Sequence, residues 1–214
     1  MTVYLVSILT AAGFFMLLAL ALNLQWGLSG MINFGIAGFY AIGAYASAMA
    51  TETLGLPFTA GLGLAVLLGT VAGLLVATLS IRLRGDFLAI VTLGFGEVVR
   101  LVILNEDWLT GGPRGFAVPT RPLAEIFDRQ GYAWFYLSVI LAAVLVLYLV
   151  VERIRAAPFG RVLRAIREDE LIPATLGKNV LLFRLQAFAI GSAAMAAAGS
   201  LYAHYVQSIS PDHF

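Results

Sequence analysis

Four stretches of this 214-residue chain carry no charged side chain: residues 1–51, 53–81, 130–151 and 185–211. A helix crosses the hydrocarbon core of a bilayer with about 20 apolar residues, and each stretch is long enough to do so. The charges are gathered between them, 12 in residues 82–129 and 11 in residues 152–184, with Glu52 and Asp212 standing apart. With 61% apolar residues and 13 basic against 12 acidic side chains, the chain is neither disordered nor built to bind a polyanion. It reads as a polytopic membrane protein that meets lipid and no nucleic acid. Zero cysteines and two histidines exclude a disulfide framework and leave little for metal or redox chemistry.

Backbone groups in hydrocarbon find no water, so apolar runs of this length must be helices or strands of a closed barrel. The ten-residue alternation of barrel strands is absent. The expected fold class is therefore all-α, a membrane helix bundle of about six transmembrane segments at residues 5–24, 31–50, 58–81, 87–104, 132–151 and 185–205. Gly27, Gly30, Gly35, Gly38 and Gly43 leave the second segment open to a break or a bend. The first lacks a basic leader and a cleavage site, and is read as a retained span. Gly69 and Gly73 form a GxxxG pair, and Ser192, Ala196 and Ser200 repeat at four-residue spacing. Such ladders let helix backbones approach closely.

Basic residues mark the cytoplasmic connections. Residues 152–184 hold seven (Arg153, Arg155, Arg161, Arg164, Arg167, Lys178, Arg184) against four acids, and are expected to be cytoplasmic. The connection at 105–131, with Arg114, Arg121 and Arg129 against Glu106, Asp107, Glu125 and Asp128, is expected on the other side. Arg82 and Arg84 return to the cytoplasm, and six spans then put the N-terminus outside.

Three features bear on chemistry. Glu97 and Arg100 interrupt the fourth span three residues apart, on one helix face where they can pair. An intramembrane pair is a functional-site hypothesis; its structural alternative is an arginine that snorkels to the interface. Gly27-Leu28-Ser29-Gly30 matches the GxSG pattern of rhomboid-type intramembrane serine proteases, with His204 following as a base, but four residues in a glycine-rich chain are a weak signal. In the 152–184 segment, Phe159, Val162, Leu163 and Ile166 fall at i, i+3, i+4 and i+7, with Arg161, Arg164 and Arg167 elsewhere on the same short helix and Glu168 placed to pair with Arg164. Pro173 and Gly177 bracket a second short turn. This is an amphipathic hairpin of the size a soluble partner can grip, and its acidic run Glu168-Asp169-Glu170 argues against a helix that only lies on anionic lipid.

Four blocks resemble the permeases of branched-chain amino acid ABC importers, the LivM type in particular. They are Leu22-Asn23-Leu24 through Gly27-Leu28-Ser29-Gly30 to Phe34-Gly35 and Gly43-Ala44-Tyr45; Leu83-Arg84-Gly85-Asp86-Phe87 through Gly94-Phe95-Gly96-Glu97 to Thr110-Gly111-Gly112-Pro113; Pro158-Phe159-Gly160-Arg161 through Arg167-Glu168-Asp169-Glu170 to Leu176-Gly177; and Ser210-Pro211. The resemblance implies an ABC importer permease fold, a single membrane domain over residues 1–214 that is incomplete at its C-terminus, since family members run on past the Ser-Pro block. It implies no enzyme and no cofactor in this chain. ATP and Mg would be used by two partner ABC ATPase subunits, beside a second, LivH-type permease and an extracytoplasmic substrate-binding protein, in the bacterial inner membrane. Phe159, Gly160, Arg161, Arg164, Ala165, Arg167, Glu168 and Gly177 would form the ATPase-coupling element, the apolar stripe entering an ATPase cleft. The competing functions are the protease on Ser29 and His204 and a passive channel, against which the charged hairpin weighs.

Overall fold

Helix α1 (Thr2–Leu22) begins the chain as an uninterrupted apolar run, and then widens into a six-residue π-helical stretch, Asn23–Leu28. The computed structural model describes residues 2–80, 85–118 and 128–214. After Leu28 regular helix stops, and the next helix, α2 (Ile36–Glu52), starts only at Ile36. Helices α3 (Phe58–Ser80) and α4 (Gly85–Asn105) follow, then one short turn α5 (Asp107–Thr110) and a two-residue strand β1 (Phe116–Ala117). The long α6 (Arg129–Ala156) leads into α7 (Pro158–Glu168) and α8 (Leu171–Thr175), and α9 (Val180–Val206) returns to strand β2 (Ser208–Ile209). Expectations resting on Arg82, Arg84, Arg121 and Glu125 lie outside the described residues.

Helix α9 is the axis of the bundle, packed on α2, α3 and α1. Small residues make this possible. A Cβ on Gly69 would collide with Ala196, and one on Gly73 would stand 2.6 Å from Ser192 Oγ. The GxxxG pair of α3 thus sits on the small-residue ladder of α9, the close approach on which helices in lipid depend for dispersion contact. Gly43 and Gly199 allow the same approach of α2 to α9. Phe39 packs on Phe188, Gly43 on Ala196, and Ser47 on Ser200 and His204, so α2 and α9 run in the same direction.

Five helical stretches are long and apolar enough to cross a membrane: Tyr4–Leu28, Phe58–Leu79, Phe87–Asn105, Gly131–Ala156 and Val180–Val206. The sixth expected span is α2, which has 17 residues, 12 of them buried. It is short because it starts late. Phe39, near its start, meets Phe188, which lies eight residues beyond Val180 and so about 12 Å along α9. The glycine-rich region therefore does break, as its composition predicts, and the break lies inside the bundle.

The two ends of the bundle differ. At one end α7 lies against the exits of α1 and α6 and the start of α9, with α8 packed on α7. At the other, β1 pairs antiparallel with β2, Phe116 opposite Ile209 and Ala117 opposite Ser208, and Val118 N donates to Gln207 O at 2.8 Å. Aromatic rings fill this end: Phe14, Tyr40, Tyr136, Tyr202, Tyr205 and Phe214 pack with neighbouring centroids 5.1–6.2 Å apart. Strand β1 and the α7–α8 hairpin thus lie at opposite ends of the bundle.

Candidate functional site

The break between α1 and α2 is held by polar side chains that reach across the bundle. Gln25 is fully buried, and its Nε2 donates to Phe188 O at 2.8 Å and to Ser192 Oγ at 3.3 Å on α9. Its Oε1 accepts from Asn33 Nδ2 at 2.7 Å, and Asn33 Oδ1 accepts from Gly35 N at 2.8 Å. Ser29 Oγ donates to Gln25 O at 2.5 Å, and Phe34 N donates to Thr92 Oγ1 on α4 at 3.0 Å. Irregular backbone at membrane depth survives only where protein or a wet cavity satisfies it. Here three helices supply the partners. At Gly30 φ is +72°, a left-handed turn that glycine makes without steric cost.

Helix α7 is docked directly beneath this break. Leu163 is fully buried in the cluster that includes Leu24, Leu28, Val151 and Phe188, and Ile166 is buried as well. Arg167 Nη1 donates to Gly27 O at 2.5 Å, placing a cation on a carbonyl that the widened helix end leaves available. The stem of Arg167 packs on Gly30, where an added Cβ would come within 2.9 Å of its Cγ. A surface helix and a membrane break therefore share one hydrogen bond and one steric contact.

This placement corrects one expectation. The apolar stripe of α7 is turned into its own bundle and does not offer itself to a partner cleft. Phe159 stacks on Phe183 of α9 at 5.4 Å, Gly160 is buried against the Ile154 and Arg155 carbonyls, and Ala165 is half-buried. The reason is that a helix lying on a bundle end loses more by leaving Leu163 and Ile166 in water than by exposing its arginines. Arg161, Arg164 and Glu168 remain exposed, and Arg164 Nη2 reaches Arg155 O at 3.4 Å. What faces outward beside them was not singled out from the sequence: Leu171, Ile172 and Leu176 of the α8 turn, exposed at 69%, 58% and 73%. Five residues are too few for the periodicity that flags a face. Glu170 pairs with Arg184 at 2.8 Å, tying the turn to the start of α9. Gly177 closes it at φ +74°, with Lys178 N donating to Pro173 O at 3.0 Å.

Glu97 and Arg100 do pair, with Nη2 3.1 Å and Nε 3.2 Å from the carboxylate oxygens. Both lie on an exposed face of α4. Gly96 is the midpoint of the apolar Phe87–Asn105 stretch, so Glu97 stands next to its middle and Arg100 one turn further along.

The Ser29 and His204 dyad does not form. Ser29 is occupied by Gln25 O at the break, whereas His204 Nε2 lies 3.0 Å from Ser47 Oγ, which in turn accepts from Ser200 Oγ at 2.8 Å, toward the aromatic end. Depth along the bundle separates the two residues, a relation that sequence order does not contain. Among the described residues no group of three or more His, Asp or Glu side chains is placed to hold a metal ion.

Comparison with known proteins bears on what this arrangement serves. The family described as "branched-chain amino acid transport system / permease component" matches residues 4–214. The high-affinity branched-chain amino acid transport system permease protein LivM of Salmonella typhimurium is 38% identical over 98% of this chain and 54% of its own length, and LivM of Escherichia coli matches equally. The permease protein LivH of Salmonella typhimurium is 26% identical over 94% of the chain and 70% of its own length. The chain thus spans about half the length of the bacterial LivM proteins it matches. No solved structure matches.

Proposed function

The chain belongs to the family of branched-chain amino acid transport permease components, and from that premise we propose that it serves as the LivM-type permease subunit of an ATP-driven importer in the bacterial inner membrane. Its cargo is a branched-chain amino acid or a related small polar solute, delivered by an extracytoplasmic binding protein. Two ATPase subunits, using ATP and Mg, act on the cytoplasmic face, and a LivH-type permease completes the pathway.

The observation that carries this reading is the bond from Arg167 to Gly27 O, because it joins the surface hairpin to the interrupted membrane segment. A push on α8 and the exposed face of α7 is then delivered to the turn at Gly30. Gln25 and Asn33 give that turn a defined resting arrangement, and bistable polar segments of this kind switch between discrete states in preference to deforming smoothly. Leu171, Ile172 and Leu176 supply apolar contact for the ATPase, while Arg161, Arg164 and Glu168 fix its register. Phe159 and Gly160 act from inside, holding α7 on its seat.

The test is substrate-stimulated ATP hydrolysis by the full transporter in proteoliposomes. Arg164→Glu and Gly177→Ile should each abolish stimulation while the permease remains in the membrane, the second because a β-branched residue is strained at φ +74°. Unchanged uptake in both variants would place the coupling elsewhere.

A further inference from the structure

Two side-chain amides stand in series within the interrupted segment, joined by hydrogen bonds that point one way. Gly35 N donates to Asn33 Oδ1, Asn33 Nδ2 donates to Gln25 Oε1, and Gln25 Nε2 donates to Phe188 O on α9. A main-chain N–H at one end and a main-chain carbonyl at the other fix which way each amide faces, because only its NH2 group can donate to a carbonyl. The main-chain carbonyl of Gln25 accepts two further bonds, from Ser29 Oγ at 2.5 Å and from Met31 N at 3.0 Å. Gln25 is thus the junction of the break, and it lies in a π-helical stretch, a conformation frequent at functional sites.

The Gln25 amide has a seat on α9. It crosses over Gly191, where an added Cβ would stand 2.6 Å from both its Cγ and its Nε2. The seat is also a helix crossing, since Ser192 stands against Gly73 of α3 and Phe188 packs on Phe39 of α2. Gly27, whose carbonyl receives Arg167, follows Gln25 by two residues. A displacement that Arg167 imposes on Gly27 is therefore carried through Gln25 to the place where α2, α3 and α9 meet. Without that junction the break moves alone.

We propose that Gln25 is the positioning residue that latches the interrupted segment to α9 and so passes the movement of α7 into the bundle. This deepens the permease reading above and rests on it. A carboxyl at this position repeats the bond to Phe188 O only while protonated, because a carboxylate has no proton to donate. Gln25→Glu is therefore latched at low pH and released as pH rises through its titration.

The test measures leucine-stimulated ATP hydrolysis by the full transporter in proteoliposomes, together with amide hydrogen exchange of residues 26–35 in the full-length chain. Gln25→Leu should lower stimulation about tenfold and speed exchange about tenfold. Gly191→Ala removes no hydrogen-bonding group but pushes the amide off its seat; it should act in the same direction, and it serves if the first variant does not fold. Relative to the wild type at each pH, Gln25→Glu should keep stimulation at about pH 5.5 and lose it by about pH 9, whereas Gln25→Leu stays flat. Thr10→Val, which removes a buried hydroxyl bonded to Val6 O of its own helix, should leave both readouts unchanged. Wild-type stimulation in Gln25→Leu and Gly191→Ala, or a Gln25→Glu variant indifferent to pH, would overturn the latch. If the wild type responds to leucine and Gln25→Leu responds equally with unchanged exchange, the latch is wrong and the permease reading stands. If exchange rises in both variants while the wild type shows no stimulated hydrolysis, the permease reading falls and the fastening of the break to α9 stands.

Discussion

Helices α4 and α6 occupy two edges of one bundle and bury the same modest share of their membrane windows, 22% each. On α6 the large exposed side chains are those of tryptophan, leucine, valine and tyrosine, and residues 130–151 carry no charge. On α4 the exposed face includes two charges and an open glycine. Equal exposure thus conceals different surface chemistry. In water an exposed leucine says little, but in a bilayer the informative residue is the exposed polar one, since apolar exposure is what the solvent rewards.

The largest effect should come from making the edges alike. Leu145→Arg places a lone cation at the middle of α6, where insertion scales assign a cost of about 2.5–3.5 kcal/mol. A glycosylation-reporter insertion assay on α6 should register it, and a negligible shift would mean that this face of α6 is covered by protein. Next in size is removal of one charge from α4. Glu97→Leu or Arg100→Leu should each lower uptake by the full transporter about tenfold, because the partner charge is left alone at the span centre. The exchange Glu97→Arg with Arg100→Glu should recover part of it; an exchange no better than the single changes would end the pairing argument. Smallest is a change of shape. Gly94→Leu should lower uptake by the full transporter about threefold by filling the open space on the charged face of α4, while Leu145→Gly on α6 leaves uptake unchanged. Equal losses from both would erase the distinction between the edges.

Much of this architecture is legible before any coordinates. The charge-free runs locate the long helices, and GxxxG on α3 with the Ser192, Ala196, Ser200 ladder on α9 identifies two faces that do meet. The glycines between residues 27 and 43 announce a break. The polar residues that stabilise the break are not legible, because Gln25 gains its meaning from Phe188 and Ser192, 163 and 167 positions away. Alone it is one amide in an apolar run. Periodicity shows that α7 has an apolar stripe and is silent on which surface receives it. Pairing of Glu97 with Arg100 follows from spacing, but its outward direction depends on where α2 and α3 lie. Serine before histidine is likewise a matter of order, and His204 finds Ser47 because α2 and α9 run side by side.

The strand pair at the aromatic end bears on the order in which the protein is made. Phe116 follows α4, yet its partner Ile209 lies beyond α9. A ribosome adding about 5–20 residues per second therefore delivers the second strand about 5–20 seconds after the first. During that interval α4 has entered the membrane with its far end unfastened and its charged pair already inside. The nascent chain consequently has a window in which that helix can tilt or retreat, closed when α9 arrives and the two short strands join. The small sheet thus marks the moment at which the far end of α4 is tied to the end of α9.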